Sequence, residues 1–351
     1  MTQHFIEDIK IENFKCFESL DIFGFKRVNV FGGKNNVGKT ALLEAIELLV
    51  KSGEPAFLVV NLFALLKRRQ QYIRGGADLD SFLGLFKESY RWFIVKSNYS
   101  EISINLDAVF QKDLNLEMDI NEDVKSNGVK FRVNKSELII SADRILNRSL
   151  PLMLRDRSIL NKVPSFYVKS SKLDDGEVAT LYGGIVEADK EVFLNESLKL
   201  FDNSILSFKA IPTDREAKSK LKLIGREKLV SLSEMGDGIS RYVTILCAIW
   251  ASQNGFLFID EIENGIHYSN YKKLWELIFM ASEQANCQVF VTSHSKECIT
   301  AFNDVQQERV DDAGRYFELY RSQKKQRIVA AVRDAEQLHY SLTHGATIRG
   351  E

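Results

Sequence analysis

Gly33-Lys34-Asn35-Asn36-Val37-Gly38-Lys39-Thr40 decides the reading of this chain, because it matches G-x-x-x-x-G-K-[ST], the loop that cradles phosphates. Val28-Asn29-Val30-Phe31 before it reads as a buried strand. Ala41 to Leu49 after it carries apolar residues at helical spacing. A strand, a Gly-rich turn and a helix N-terminus point backbone N–H groups and the helix dipole at an anion. In such a loop Gly33, Asn35, Asn36 and Gly38 shape the turn. Lys39 then sits on the β- and γ-phosphates, and Thr40 ligates Mg²⁺. The expected ligand is a nucleoside triphosphate.

A second motif follows far downstream. Phe256-Leu257-Phe258-Ile259 is too short for a helix and fits a strand buried on both faces. It ends in Asp260-Glu261, and two carboxylates are costly there unless a charge meets them. Mg²⁺ between Asp260 and the nucleotide would meet them. Glu261 is then placed to act as general base on the water in line with the γ-phosphate. The next strand, Gln288 to Thr292, ends in Ser293-His294-Ser295, where His294 can donate to the γ-phosphate. His267 follows the acidic motif closely.

Leu232-Ser233-Glu234-Met235-Gly236-Asp237-Gly238 precedes a strongly apolar helix, Ile239 to Trp250. Ser233 and Gly236 form another anion site at a helix N-terminus, with a plain N-cap and Gly hinge as the bland alternative.

The order of phosphate loop, Leu-Ser-x-x-Gly-x-Gly segment, Asp-Glu strand and Ser-His strand end resembles ABC-type ATPases, in particular the soluble branch of RecF-like, SMC-like and OLD-family proteins. Ile6 to Phe17 looks like that branch's opening strand. Asp260 to His267 looks like the acidic motif and loop of OLD-family and AAA-15-type ATPases. The likeness covers roughly 1–50 and 230–300. It implies an α/β P-loop fold with an ABC-ATPase-like core, an antiparallel β lobe and a short helical insertion. It also implies ATP and Mg²⁺ as ligands, and two protomers sandwiching two nucleotides. Ser233 and Gly236 would then contact the γ-phosphate bound to a second protomer, in a homodimer or larger even assembly. The family's nucleotide-sensing glutamine is not placed by sequence; Gln111 is the candidate.

The chain has 351 residues, 45% of them apolar, enough for a sizeable core. The expected organisation is 1–165 with the phosphate loop and the β lobe, 166–230 as the helical insertion, and 231–351 with signature, acidic strand, His294 and a terminal hairpin. Residues 51–75 read as helix ending at Arg74-Gly75-Gly76, and 187–229 as a short helical arm. Alternating runs within 91–141 predict an antiparallel sheet. The hairpin is expected at Tyr316–Tyr320 and Arg327–Ala331.

A net charge of −1 gives no global basic field for nucleic acid. Lys67-Arg68-Arg69 and Lys324-Lys325-Gln326-Arg327 read as solvated surface. No run is long enough to span a membrane, no secretory leader is evident, and Cys16, Cys247, Cys287 and Cys298 lack C-x-x-C pairing. A cytoplasmic protein with reduced thiols is expected. Asn134-Lys135-Ser136-Glu137 and Asn161-Lys162-Val163-Pro164 both lack the final Asp of a guanine-selecting motif. Asp311-Asp312 does not supply a nuclease cluster, so any effector activity, as in anti-phage systems, falls to a separate partner protein. A RecF-like ATPase clamping DNA in its closed dimer is the alternative.

Overall fold

The computed structural model describes residues 5–69, 79–88, 90–106, 128–141, 145, 163–214 and 217–344. Arg74-Gly75-Gly76, Gln111 and Asn161-Lys162 lie outside these. The central sheet holds β3 (Val28–Gly33), β8 (Ser165–Val168), β12 (Phe256–Ile259), β13 (Gln288–Thr292), β14 (Gly314–Ser322) and β15 (Arg327–Arg333). Its order is β15-β14-β3-β13-β12-β8, parallel throughout except for the β14–β15 hairpin. The expected hairpin is therefore present, and its first strand also extends the parallel sheet beside β3.

The near-continuous apolar runs are explained by burial on both faces. Side chains alternate along each strand, so Phe256 and Phe258 face one core while Leu257 and Ile259 face the other. The aromatic face stacks: the Phe258 and Phe290 ring centroids are 5.7 Å apart, and those of Phe31 and Phe290 are 6.2 Å apart. Over it packs α1 (Lys39–Lys51), with α2 (Pro55–Arg69) behind.

That same core is closed by a six-stranded antiparallel sheet. Its strands are β1 (Asp8–Phe14), β2 (Phe17–Phe23), β4 (Trp92–Lys96), β5 (Glu101–Leu106), β6 (Gly128–Val133) and β7 (Ser136–Ser141), in the order β2-β1-β4-β5-β6-β7. The opening strand expected at Ile6–Phe17 is thus the first half of a hairpin. The short helix α3 (Leu79–Leu83) precedes β4.

The aliphatic face carries α4 (Asp175–Glu187), α5 (Glu191–Phe201), α6 (Asp237–Ala251), α7 (Tyr271–Gln284) and α8 (Lys296–Glu308), and α9 (Ala335–Thr343) packs on α8 and the hairpin. The expected helical arm at 187–229 is helical only through α5. Beyond it β9 (Ile205–Pro212), β10 (Ala217–Leu223) and β11 (Val230–Ser231) form a three-stranded antiparallel sheet. Ala217-Lys218-Ser219-Lys220-Leu221-Lys222-Leu223 alternates with period two, and Ser219, Leu221 and Leu223 are the buried set. Strand period overrode the charged, helix-like composition there.

Arg68 and Arg69 are a second correction. They are not free surface. Arg68 forms a two-pronged pair with Glu47 at 2.6 and 3.0 Å, and Arg69 does the same with Glu44 at 2.7 Å on both prongs. Lys15 also pairs with Glu44, and Lys51 with Glu47 at 2.7 Å. Burial pushes both carboxyls up, but these cations together hold Glu44 and Glu47 below the ordinary carboxylate value. The network fastens α2 to the loop helix. By contrast, Lys324, Lys325 and Gln326 are exposed in the β14–β15 turn. Cys247, Cys287 and Cys298 are buried free thiols, and Cys16 is partly buried.

Candidate active site

Three adjacent parallel strands, β3, β13 and β12, end along one line and deliver the loop, His294 and the carboxylates to one place. Such a crevice at the carboxyl ends of parallel strands is where α/β sheets bind ligands. Gly33 and Gly38 are the loop's fixed points. Gly33 has φ +125°, and a Cβ there would lie 2.1 Å from the Leu319 carbonyl oxygen. Gly38 has φ +86°, and its Cβ would lie 2.5 Å from Cys16 Sγ and 2.8 Å from the Phe17 ring. Both positions demand glycine. Lys34, Asn35 and Asn36 are exposed on the outer arc, with Asn36 at φ +61°.

Lys39 is buried, and its Nζ donates to the carbonyls of Gly33 and Lys34, each at 2.7 Å. Burial pushes its pKa down to about 8, against the pull of Glu263, Glu261 and Asp260. A desolvated ammonium on two carbonyls is a cation short of an anion. Thr40 Oγ1 lies 3.1 and 3.2 Å from the two Asp260 carboxylate oxygens. Asp260 also accepts from Thr292 Oγ1 at 2.6 Å. Burial raises its pKa, the neighbouring Glu261 adds to this, and the Thr292 and Thr40 hydroxyls oppose it. A buried carboxylate facing a hydroxyl, with no cation bonded to it among the described residues, fits a Mg²⁺ site of hard oxygen donors. The loop and Lys39 likewise fit a triphosphate.

Glu261 takes φ +49°, in the left-handed region where a non-glycine side chain is uncommon. Its backbone N–H donates to Thr292 Oγ1 at 2.8 Å, and Asn264 Nδ2 donates to its carboxylate at 2.7 Å. His294 Nε2 stands 3.6 Å from Glu261 Oε1. Burial and Lys39 lower the His294 pKa, with Glu263, Glu261 and Asp260 opposing. Among the described residues its buried Nδ1 has no hydrogen-bond partner. Glu263 accepts from the backbone N–H groups of His294 at 2.5 Å and Ser295 at 3.1 Å.

Ser233 and Gly236 are placed apart. Ser233 lies in a 3₁₀ turn, Leu232–Met235, and its hydroxyl is 2.9 Å from that of Ser231. Gly236, at φ +85°, flanks α6, so the helix N-cap is the glycine and not the serine. Among the described residues no hydrogen bond or ion pair joins either residue to Lys39, Thr40, Asp260 or Glu261. His267 caps a short 3₁₀ turn, Tyr268–Asn270.

Sequence reasoning missed Arg241. It is buried on α6 and donates to the carbonyl oxygens of Lys169, of Asp260 at 2.7 Å and of Glu261 at 3.1 Å. Burial lowers its pKa to about 10. Thr292 was missed as well, although its place directly before Ser293-His294 was a usable signal. Next to Thr40 and Asp260 opens a cavity of about 270 Å³ walled by Tyr167, Lys169, Ser170 and the Arg68–Arg69 pairs.

This fold and this site define a P-loop NTPase with an ABC-ATPase-like core, and the chain is an ATPase. Residues 28–299 match the family described as "AAA domain, putative AbiEii toxin, Type IV TA system", and the chain belongs to it. An ATP/GTP phosphatase of Helicobacter pylori is 27% identical over 336 residues, covering 87% of this chain and 89% of the relative. The DNA double-strand break repair Rad50 ATPase of Methanopyrus kandleri is 28% identical over 169 residues, 42% of this chain and 18% of the relative. In fold the chain resembles the SMC head bound to the C-winged helix domain of ScpA, with a TM-score of 0.53 at 14% identity over 95% of this chain and 99% of that one. An SMC head with an extended coiled coil, bound to the C-terminal domain of ScpA from Pyrococcus furiosus, gives 0.51 at 12% identity over 97% and 99%. The fold is thus that of an SMC head, with an ABC-ATPase-like core. Among the described residues no helix is long and apolar enough to cross a membrane.

Proposed function

We propose that the chain is a dimerising ATP switch whose two protomers close on ATP and open on hydrolysis, and that a separate effector reads the state. The observation that carries this is the Thr40–Asp260 approach at 3.1 Å, with a buried Lys39 on one side and Glu261 on the other. Lys39, with the loop amides around Gly33, Asn35, Asn36 and Gly38, would hold the β- and γ-phosphates. Thr40 and Asp260 would hold Mg²⁺, which supplies charge neutralisation at the phosphates when bound.

Glu261 takes a proton from the attacking water. Its carboxylate is oriented for this by Asn264, and its backbone by Thr292. His294 donates from Nε2 toward the γ-phosphate. Ser233 and Gly236, exposed and not bonded to their own loop among the described residues, serve the site of the second protomer. Arg241 ties the helix that begins at Gly236 to the backbone of Asp260 and Glu261, so it gives a path from the partner's nucleotide to this chain's base.

The Asp260 to His267 loop supports a place near OLD-like and AAA-15-type ATPases. A Type IV TA system in the family description is compatible with a partner effector and with a role in phage defence. The structural neighbours' ScpA partners are a precedent for heads read by another protein. The soluble setting proposed is the cytoplasm. Sedimentation of Glu261→Gln with and without ATP and Mg²⁺ tests the cycle. A dimer that forms only with nucleotide supports it, and a monomer under both conditions refutes it.

A further inference from the structure

Hydrogen bonds continue to join β12 and β13 beyond the last paired residues of the two strands. The Glu261 and Ile262 backbone N–H groups donate to Thr292, at its Oγ1 (2.8 Å) and at its carbonyl oxygen (3.1 Å). One residue further on, the direction reverses. The Glu263 carboxylate, through Oε1, accepts from the backbone N–H groups of His294 at 2.5 Å and of Ser295 at 3.1 Å. Ile262 is fully buried and anchors the turn that carries Glu263.

The His294 ring has no such anchor of its own. Among the described residues its Nδ1 has no hydrogen-bond partner, and its Nε2 stands 3.6 Å from Glu261 Oε1, beyond hydrogen-bond reach. The ring is therefore placed by its main chain. On one side the Ser293 N–H is tied to β3, through the Phe31 carbonyl at 3.1 Å, and on the other Ser295 begins α8 as its N-cap. Between these fixed points the His294 N–H bonds to Glu263 alone among the described residues.

An anion before a helix is favoured by the helix dipole, so a plain capping role is the competing explanation. Two features speak against it. Ser295 already caps α8, accepting from the Cys298 N–H at 3.0 Å. Glu263 Oε2 is also buried with no partner among the described residues, a cost in stability that capping does not require.

We propose that Glu263 is a positioning residue for ATP hydrolysis: by holding the His294 main chain it sets where that ring stands relative to Glu261 and the γ-phosphate. Its neighbour Asn264 holds the Glu261 carboxylate at 2.7 Å, so consecutive residues of one turn fix the base and the histidine beside it. The inference rests on the roles proposed above for Glu261 and His294 and adds the residue that acts through His294.

The test measures kcat at saturating ATP, affinity for a fluorescent ATP analogue, and melting temperature, on the full chain. Glu263→Asp keeps the negative charge before α8 but is one methylene shorter, so it can serve the helix and still draw His294 off its position. Glu263→Gln keeps the reach and an acceptor oxygen for both N–H groups but loses the charge. A misplacement of about 1 Å can cost on the order of 100-fold in rate. Glu263→Asp should therefore lower kcat at least about tenfold, with affinity within about threefold and a melting temperature near wild type, while Glu263→Gln keeps kcat within about threefold. In a His294→Ala background Glu263→Asp should cause no further fall, because residues that act through one another are not additive. A Glu263→Asp kcat equal to wild type, equal losses in kcat and affinity, or an undiminished further loss in the His294→Ala background would overturn the inference. If Glu263→Asp does not fold, Glu263→Gln is compared with Glu263→Met, which has no acceptor oxygen: kcat kept in the first and lost in the second supports the inference, and equal kcat overturns it. Full kcat in His294→Ala would refute the role of His294 itself, and this inference with it.

Discussion

Arg241 donates to the carbonyl oxygens of both Asp260 and Glu261, so the helix that starts at Gly236 is bolted to the backbone of the carboxylates. Arg241 is buried. Arg241→Leu removes donors from carbonyls that stay buried, at a cost of roughly 1–3 kcal/mol for each one left unsatisfied. A lower melting temperature is expected. If the bolt also positions Glu261, turnover falls by more than ATP affinity does. Equal losses in kcat and binding would assign Arg241 a purely structural role.

Lys39→Ala should abolish ATP binding, read by titration with a fluorescent ATP analogue. The wild-type loop has its own pH signature. The Lys39 pKa is lowered to about 8 by burial, so its charge is present below that value and lost above it. Affinity should therefore decline as pH rises through about 8. Because the folded pKa lies below the unfolded one, the ligand-free chain gains stability from this group between about 8 and 10.5, where the unfolded chain binds more protons. Affinity unchanged up to pH 10 would remove Lys39 from the phosphates.

Ser233→Arg should bind ATP and fail to turn it over, because the damage falls on the partner's nucleotide. Mixed with Lys39→Ala, also inactive, it should recover measurable turnover, since the mixed dimer retains one site with an intact loop and an intact signature. No recovery at any ratio contradicts a site completed in trans.

The Glu44 and Glu47 networks carry the acid stability of the loop helix. Their carboxyls are held below the ordinary value of 4.5 by Lys15, Arg69, Arg68 and Lys51, against burial. Their contribution is complete above 4.5 and is lost as pH falls through the lower folded values. Glu47→Ala leaves Arg68 without its carboxylate partner and should destabilise by about 3–5 kcal/mol in chemical denaturation at pH 7. It should also flatten the acid limb of the stability profile. A loss under 1 kcal/mol would mean that the network is solvated.

The parts legible in sequence are those in which local chemistry and fold agree. Gly33 to Thr40 demands left-handed glycines, and the apolar runs at Val28, Phe256 and Gln288 can only be strands buried on both sides. What stayed hidden depended on long-range partners. Lys67-Arg68-Arg69 looks like solvated charge until Glu44 and Glu47, more than 20 residues away, are set against it. Arg241 sits inside an apolar helix, and nothing in its neighbours says that three carbonyls await it. The strands β9 and β10 were masked by lysines that read as a helical arm. The left-handed Glu261 is set by Thr292 and Asn264 and not by its own side chain's preference.

The central claim is that the hydrolytic site is shared between two protomers with Glu261 as its base. ATP turnover per protomer, measured against protein concentration with Glu261→Gln as control, tests it most directly. Turnover should rise with concentration to a plateau, and the control should bind ATP yet turn over at least about 100-fold more slowly. Turnover per protomer that is independent of concentration down to the most dilute samples, in a chain that sediments as a monomer with ATP, would contradict it.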